Sequence, residues 1–152
     1  MRSLSTDLKT EIGKKVQVAG WVNSRRDHGG LVFIDLRDHK GIIQLVITPE
    51  AKEAFDIAEK LRDEYVIRAE GTVRERAADL KNPNIATGEI EIVVDQLELL
   101  TKSDPLPVNT HDEGDTSSEE MRLKYRYLDL RRPSMQNILK RRAEYYRLMR
   151  TY

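Results

Sequence analysis

The 152-residue chain has no cysteine, no net charge and few aromatic residues: one Trp, two Phe and six Tyr. Without cysteine, disulfides and thiolate metal sites are excluded, a usage compatible with the reducing cytosol. No apolar run approaches the roughly 18 residues a membrane span needs. The first residues, Met-Arg-Ser-Leu-Ser, lack the apolar stretch of a signal peptide, so a soluble cytoplasmic protein with no membrane partner is expected. Chemistry-bearing motifs are missing too. His28, His39 and His111 are not at metal-ligand spacing, and His28-Gly29-Gly30 is too short for a dinucleotide fingerprint. No catalytic triad or phosphate loop is present, and paired acids such as Glu119-Glu120 read as solvated. The residues offer no reaction of their own.

What is present is unevenly distributed. Apolar residues make up 39% and charged ones 34%, enough for one core of about 100 residues but not for the whole chain. Residues 121–152 carry 10 Lys/Arg against 2 Asp/Glu, while residues 1–120 carry 16 against 24. A basic segment on an otherwise acidic chain points to a polyanion or to an acidic partner domain.

Residues 14–26 alternate around Gly20, as a long strand bent at glycine does in a small barrel. A turn at His28-Gly29-Gly30 leads to strands predicted over 31–38 and 42–48, joined by a hairpin at Asp38-His39-Lys40-Gly41. Pro49 is expected to open a helix over 50–62, whose stripe is Ala51, Ala54, Phe55, Ala58 and Leu61. Strands over 64–76 and 89–100 flank a loop at 77–88 rich in Asn, Pro and Gly. Three strands, a helix and two strands is the order of the five-stranded OB-fold Greek-key barrel; a generic β-barrel with a capping helix is the other architecture that fits. The expected class is therefore all-β with helices.

The barrel is assigned to residues 1–102 and a linker to 103–120, on Pro105, Pro107, Gly114 and the Asp/Ser/Glu run. Helical segments at 121–152 follow. The first is broken by Pro133 and the second has Ser134 as a candidate N-cap. The last helix stops in mid-pattern at Thr151-Tyr152 without a stop signal, as a piece of a longer protein does. Tyr125, Tyr127, Tyr145, Tyr146 and Leu148 are expected to be exposed when that remainder is missing.

Binding is the function class the residues favour. Single-stranded bases are held by rings on a sheet face with basic groups along the backbone, and the OB fold uses the face of strands 2 and 3. Phe33 can stack on a base or fill the core. Gln44 interrupts Ile42-Ile43 and Leu45-Val46-Ile47, and its amide either faces solvent or reads a base edge. Arg25 and Arg26 can meet phosphate or a base, or end the strand in water beside Asp27. Arg74 and Arg76 carry the same alternatives. Glu91 can accept from a guanine edge or lie on an exposed strand face.

Taken together, Gly20 to Asp38 (GWVNSRRDHGGLVFIDLRD), Gly41-Ile-Ile-Gln-Leu-Val46, Gly71-Thr-Val-Arg74, Asn82-Pro-Asn-Ile-Ala-Thr-Gly-Glu-Ile-Glu91 and Arg122 to Pro133 (RLKYRYLDLRRP) resemble bacterial-type aspartyl-tRNA synthetases of class IIb. The likeness runs through almost the whole chain in order. It implies an N-terminal anticodon-binding domain, with 121–152 as hinge and start of a class II catalytic domain that is not here. The full-length family member is a homodimer that uses ATP and magnesium to join aspartate to tRNA-Asp. A chain without the catalytic domain is expected to bind tRNA, hold no cofactor and catalyse nothing.

The resemblance also implies residue roles. Phe33 matches the position that stacks on the central anticodon base and Gln44 one that reads this uracil. Arg26 matches an arginine at the anticodon and Glu91 a residue at the first anticodon base. Arg74, Arg76 and Asn82 fall in the strand 4–5 region that approaches the anticodon loop. His28 departs from the leucine often found in enzymes strict for tRNA-Asp. It matches relatives that also charge tRNA-Asn, whose product an amidotransferase then converts. The non-discriminating type is therefore expected, against the alternative that His28 only serves the turn. A stand-alone OB-fold module for single-stranded nucleic acid and a protein adaptor using the basic helices are the rival readings.

Overall fold

The computed structural model describes residues 2–112 and 116–152. Gly114, on which the linker expectation partly rests, lies outside the described residues. The chain divides into two compact units, Met1–Ser103 and Asp104–Tyr152.

The first unit is a closed five-stranded barrel built from β1 (Lys15–His28), β2 (Leu31–Arg37), β3 (Ile42–Ile47), β4 (Val66–Glu75) and β5 (Ile90–Thr101), in the order β1-β2-β3-β5-β4. The expected OB barrel is present. β1 closes it by serving two partners: residues 15–21 pair with β4 and residues 21–28 with β2. A strand can bend this sharply only where its backbone approaches a neighbour closely. A Cβ on Gly20 would overlap the Arg37 carbonyl oxygen, and one on Gly71 the Val93 carbonyl oxygen. A short parallel contact, Gln44–Glu91 to Val46–Val93, joins β3 to β5.

Period-two burial fills the interior with Val16, Val18, Val22, Val32, Ile34, Leu36, Ile43, Leu45, Ile47, Ile67, Val73, Ile90 and Ile92. Two elements add to it. α1 (Lys52–Ala58) contributes Ala54 and Ala58, with Leu61 beyond its end. A 3-10 turn at Ser5–Thr10, not foreseen from the sequence, inserts the fully buried Leu8. That turn is held down by Asp38, whose carboxylate accepts from the Ser5 backbone N–H (2.7 Å) and hydroxyl (2.8 Å).

α1 is shorter than the 50–62 expected. Pro49 precedes it rather than opening it: Ala51 N–H bonds the Thr48 carbonyl in a turn, and the helix starts at Lys52. At its far end the Arg25 Nε donates to the Ala58 carbonyl (2.8 Å), so Arg25 caps α1, and its Nη2 pairs with Asp27 (2.8 Å), the neutralising neighbour expected for it. Glu64 has φ 65°, a rare state for a residue with a Cβ. Its buried carboxylate is gripped by both contacts of the Arg37 Nη2, at 2.7 and 2.8 Å, while Arg37 Nη1 donates to Asn23.

In the second unit, α2 (Glu119–Lys124) is capped by Ser118, α3 (Arg126–Asp129) is a single turn, and α4 (Pro133–Thr151) is the long helix. The helix expected before Pro133 is thus interrupted at Tyr125 (φ −106°, ψ 44°). Ser134 is not the N-cap of α4. Pro133 is the first helical residue after Arg132, and Ser134 bonds Asp112 through its N–H (2.9 Å) and hydroxyl. Tyr127, Tyr145, Tyr146 and Leu148 are exposed as expected, and Tyr125 is half-buried. Among the described residues no helix is long and apolar enough to cross a membrane.

Candidate nucleic-acid interface

A change of parity in β1 creates the site. Up to Val22, even-numbered residues of β1 point into the barrel. The pairing with β2 then slips by one residue, from Val22↔Leu36 to Ser24↔Asp35, leaving Asn23 unpaired. This bulge turns Ser24 and Arg26 outward, where regular alternation would have buried them.

On β2, Val32, Ile34 and Leu36 point inward, so Phe33 and Asp35 face out. Cross-strand register carries the face onward. Asp35 stands opposite Gln44, Gln44 beside Glu91, and Glu91 opposite Arg74. Ser24, Asp35, Gln44, Glu91 and Arg74 therefore form one polar row across all five strands. One step along, Arg26, Phe33, Val46 and Val93 form a second row.

Arg26, Phe33, Gln44 and Glu91 of these rows line a groove of about 590 Å³, together with Asp27, His28, Arg76, Leu80 and Asn82. Seven of the eight residues expected to touch RNA meet there. The eighth, Arg74, is not among the lining residues and donates from Nε to the Glu91 carboxylate (2.7 Å). Phe33 is half-buried and outside the core cluster, which resolves its two readings in favour of the outer face. Gln44 is 8% exposed and still borders the groove, so it is not an open solvent position. Glu91 is 6% exposed, not on an exposed strand face as one alternative had it: Arg74 holds one oxygen, and Arg76 Nε stands 3.7 Å from the other.

Arg76 is the most constrained group of the site. It is 6% exposed, its Nε donates to the Ile90 carbonyl (3.1 Å), and its Nη2 is buried with no hydrogen-bond partner. Burial lowers the guanidinium pKa; Glu91 and Asp35 oppose that shift, and Arg26 adds to it. A buried unpaired N–H of a cation is costly, and an acceptor brought by a ligand would satisfy it. Asn82 is committed in part. Its Oδ1 accepts from Asn84 N–H (2.9 Å) in a turn that Asn82 N–H closes on Gly88 (3.0 Å), which leaves its amide nitrogen to donate. His28 is exposed at the end of β1, just before the positive-φ pair Gly29-Gly30.

Asp35, Ser24 and the exposed Leu80 are not among the residues expected from the sequence. Asp35 is within reach of pattern reasoning, because residues two apart along a strand share a face and Phe33 is a candidate for that face. Ser24 is not, since a bulge leaves no such mark. Among the described residues there is no cluster of three His, Asp or Glu side chains able to hold a metal ion.

Residues 16–100 match the model of the tRNA anticodon family, described as an OB-fold nucleic acid binding domain. The chain belongs to this family. The chain is 56% identical over 128 residues to the aspartate–tRNA(Asp/Asn) ligase of Endomicrobium trichonymphae, covering 84% of this chain and 22% of that protein. Identity is 54% over 140 residues to the enzyme of the same name from Campylobacter concisus, covering 91% and 24%. Among solved structures, asparaginyl-tRNA synthetase of Pyrococcus horikoshii with asparaginyl-adenylate superposes with a TM-score of 0.71 at 31% identity, over 86% of this chain and 29% of that one. The chain thus spans about a quarter of the length of the curated relatives it matches.

Proposed function

We propose that this OB domain reads the anticodon of tRNA-Asp and tRNA-Asn as the N-terminal part of an aspartate–tRNA ligase. The observation that carries the reading is the groove itself, which brings a half-exposed ring, a near-buried amide, a paired carboxylate and an unsatisfied guanidinium N–H into one pocket. Phe33 stacks on the central uracil. Gln44 donates to and accepts from its Watson–Crick edge. Arg76 Nη2 donates to a base carbonyl, and Glu91, aligned by Arg74, accepts from the N1–H and N2–H₂ of the first base, a guanine. Arg26 and Asn82 donate at the rim. The near-burial of Gln44 and Arg76 sharpens discrimination, because a wrong base leaves a desolvated polar group unpaired.

In this reading residues 1–102 are the recognition domain, 103–120 a linker, and 121–152 the hinge and first part of a class II catalytic domain. ATP, magnesium and the homodimer contacts belong to the full-length ligase. His28 sits at the groove edge and, as a polar ring, tolerates either C or U as third anticodon base.

The test is titration of the 152-residue chain with labelled anticodon stem-loops at fixed salt. Loops carrying GUC and GUU bind with similar affinity, and a scrambled loop binds more weakly. Equal affinity for any single strand would point to a general single-strand module, and no binding would overturn the reading. In the His28→Leu variant the GUU loop loses affinity relative to GUC; equal loss on both, or no change, defeats the role given to His28.

A further inference from the structure

A carboxylate beside an RNA groove is, on charge alone, a handicap. Asp35 nevertheless stands next to this one, opposite Gln44 in register and bonded to Arg26, both of which line it. The bulge in β1 places Ser24 opposite it, and the Ser24 hydroxyl donates to Asp35 Oδ2 (2.7 Å). Both Asp35 oxygens accept from a single nitrogen of Arg26, Nη2, at 3.2 and 3.1 Å. The Nε and Nη1 of Arg26 remain available to donate, on a side chain that is 58% exposed. Asp35 also stands opposite Gln44 in register and acts electrostatically on the buried Arg76.

We infer that Asp35 is a positioning residue for anticodon recognition: steadied by Ser24, its carboxylate holds the Arg26 guanidinium over the groove. The inference rests on the anticodon reading above. A free arginine samples many rotamers, and RNA would have to select one of them. Tethering Nη2 removes that cost before RNA arrives, while the remaining donors keep their capacity for base or phosphate. Ser24 fixes the carboxylate in turn, so the orientation passes from a backbone bulge to the exposed guanidinium through three hydrogen bonds.

The two accounts of Asp35 predict opposite signs. If it acted only as a local negative charge, Asp35→Asn would tighten binding to every RNA. If it positions Arg26, Asp35→Asn weakens binding to the GUC stem-loop by about tenfold, the loss of roughly one charge-assisted contact, and leaves the scrambled loop unchanged or slightly tighter. Asparagine can still accept from Ser24, and thermal unfolding reports whether the barrel is intact. Ser24→Ala keeps the charge and lowers the GUC-to-scrambled ratio in the same direction by a smaller factor; it decides the matter if Asp35→Asn does not fold. Equal tightening on both loops, or unchanged GUC binding by a folded variant, overturns the positioning role. Phe33→Ala measured alongside separates the two ideas. If it weakens GUC binding and Asp35→Asn does not, only the role of Asp35 falls; if neither does, the anticodon reading falls with it.

Discussion

Replacing Phe33 by alanine separates recognition from stability. The ring lies on the outer face opposite Val46, which is 1% exposed yet outside the core cluster. Stacking of one base on one aromatic contributes about 1–3 kcal/mol, so affinity for the GUC loop is expected to drop by about 5- to 150-fold. Stability loses only a cross-strand pair worth about 0.2–1 kcal/mol, against the roughly 3–5 kcal/mol that a Phe→Ala change costs inside a core. For a domain of this size the thermal midpoint then falls by no more than about 4–8 °C. Fluorescence anisotropy with a labelled stem-loop measures the first quantity and circular dichroism melting the second. Phe33→Leu sharpens the comparison, because leucine still covers Val46 but presents no ring. It is expected to melt like the parent chain and bind like the alanine variant. Wild-type affinity in Phe33→Ala, or a loss of stability of core size, would refute the reasoning.

Three further outcomes follow from the barrel. Gly71→Ala drives a Cβ into the Val93 carbonyl, which as strand backbone cannot yield, and to 2.9 Å from the Ile92 side chain; about 1–3 kcal/mol or more of stability is lost, read as a lower urea midpoint. Glu64→Gln keeps the shape of the side chain but removes the charge that Arg37 grips; because Arg37 is partly solvated, the loss sits at the low end of the roughly 3–5 kcal/mol for breaking a buried pair, and unchanged urea stability would contradict the pairing. Asp38 is the acid-sensitive anchor of the N-terminal turn. Burial raises its pKa, but bonds from the Ser5 N–H and hydroxyl and the Lys40 and Gly41 N–H groups bring it below the ordinary value. A folded-state pKa below the unfolded one gives stability that is complete above about pH 4 and is lost as pH falls through the folded value. Asp38→Asn therefore lowers stability at neutral pH and flattens the acid limb of a melting-versus-pH curve.

Much of the site was legible because strand periodicity is a local property. Alternating Val32, Ile34 and Leu36 forces Phe33 outward, and the amide of Gln44 stands out within an aliphatic run. The short helix was overextended because an apolar stripe does not show where a chain must turn back onto a barrel. Leu61 still packs on the core, but from the turn beyond the helix end. Arg25 and Arg26, neighbours with the same side chain, could not be told apart by residue type. One caps α1 and the other hangs over the groove, and only their opposite orientation along β1 separates them.

Composition, periodicity and turn residues by themselves determined the class of this protein: a five-stranded barrel with an interposed helix, and a basic helical segment after it. Each of those signals is carried by residues within a few positions of one another. The charge partnerships were decided by tertiary structure alone. The unpaired Asn23 shifts register and so chooses which arginine faces out, and the join of β3 to β5 brings Gln44 beside Glu91, 47 positions later in the chain. Such juxtapositions depend on how distant strands align when the barrel closes, a condition that no short stretch of sequence contains.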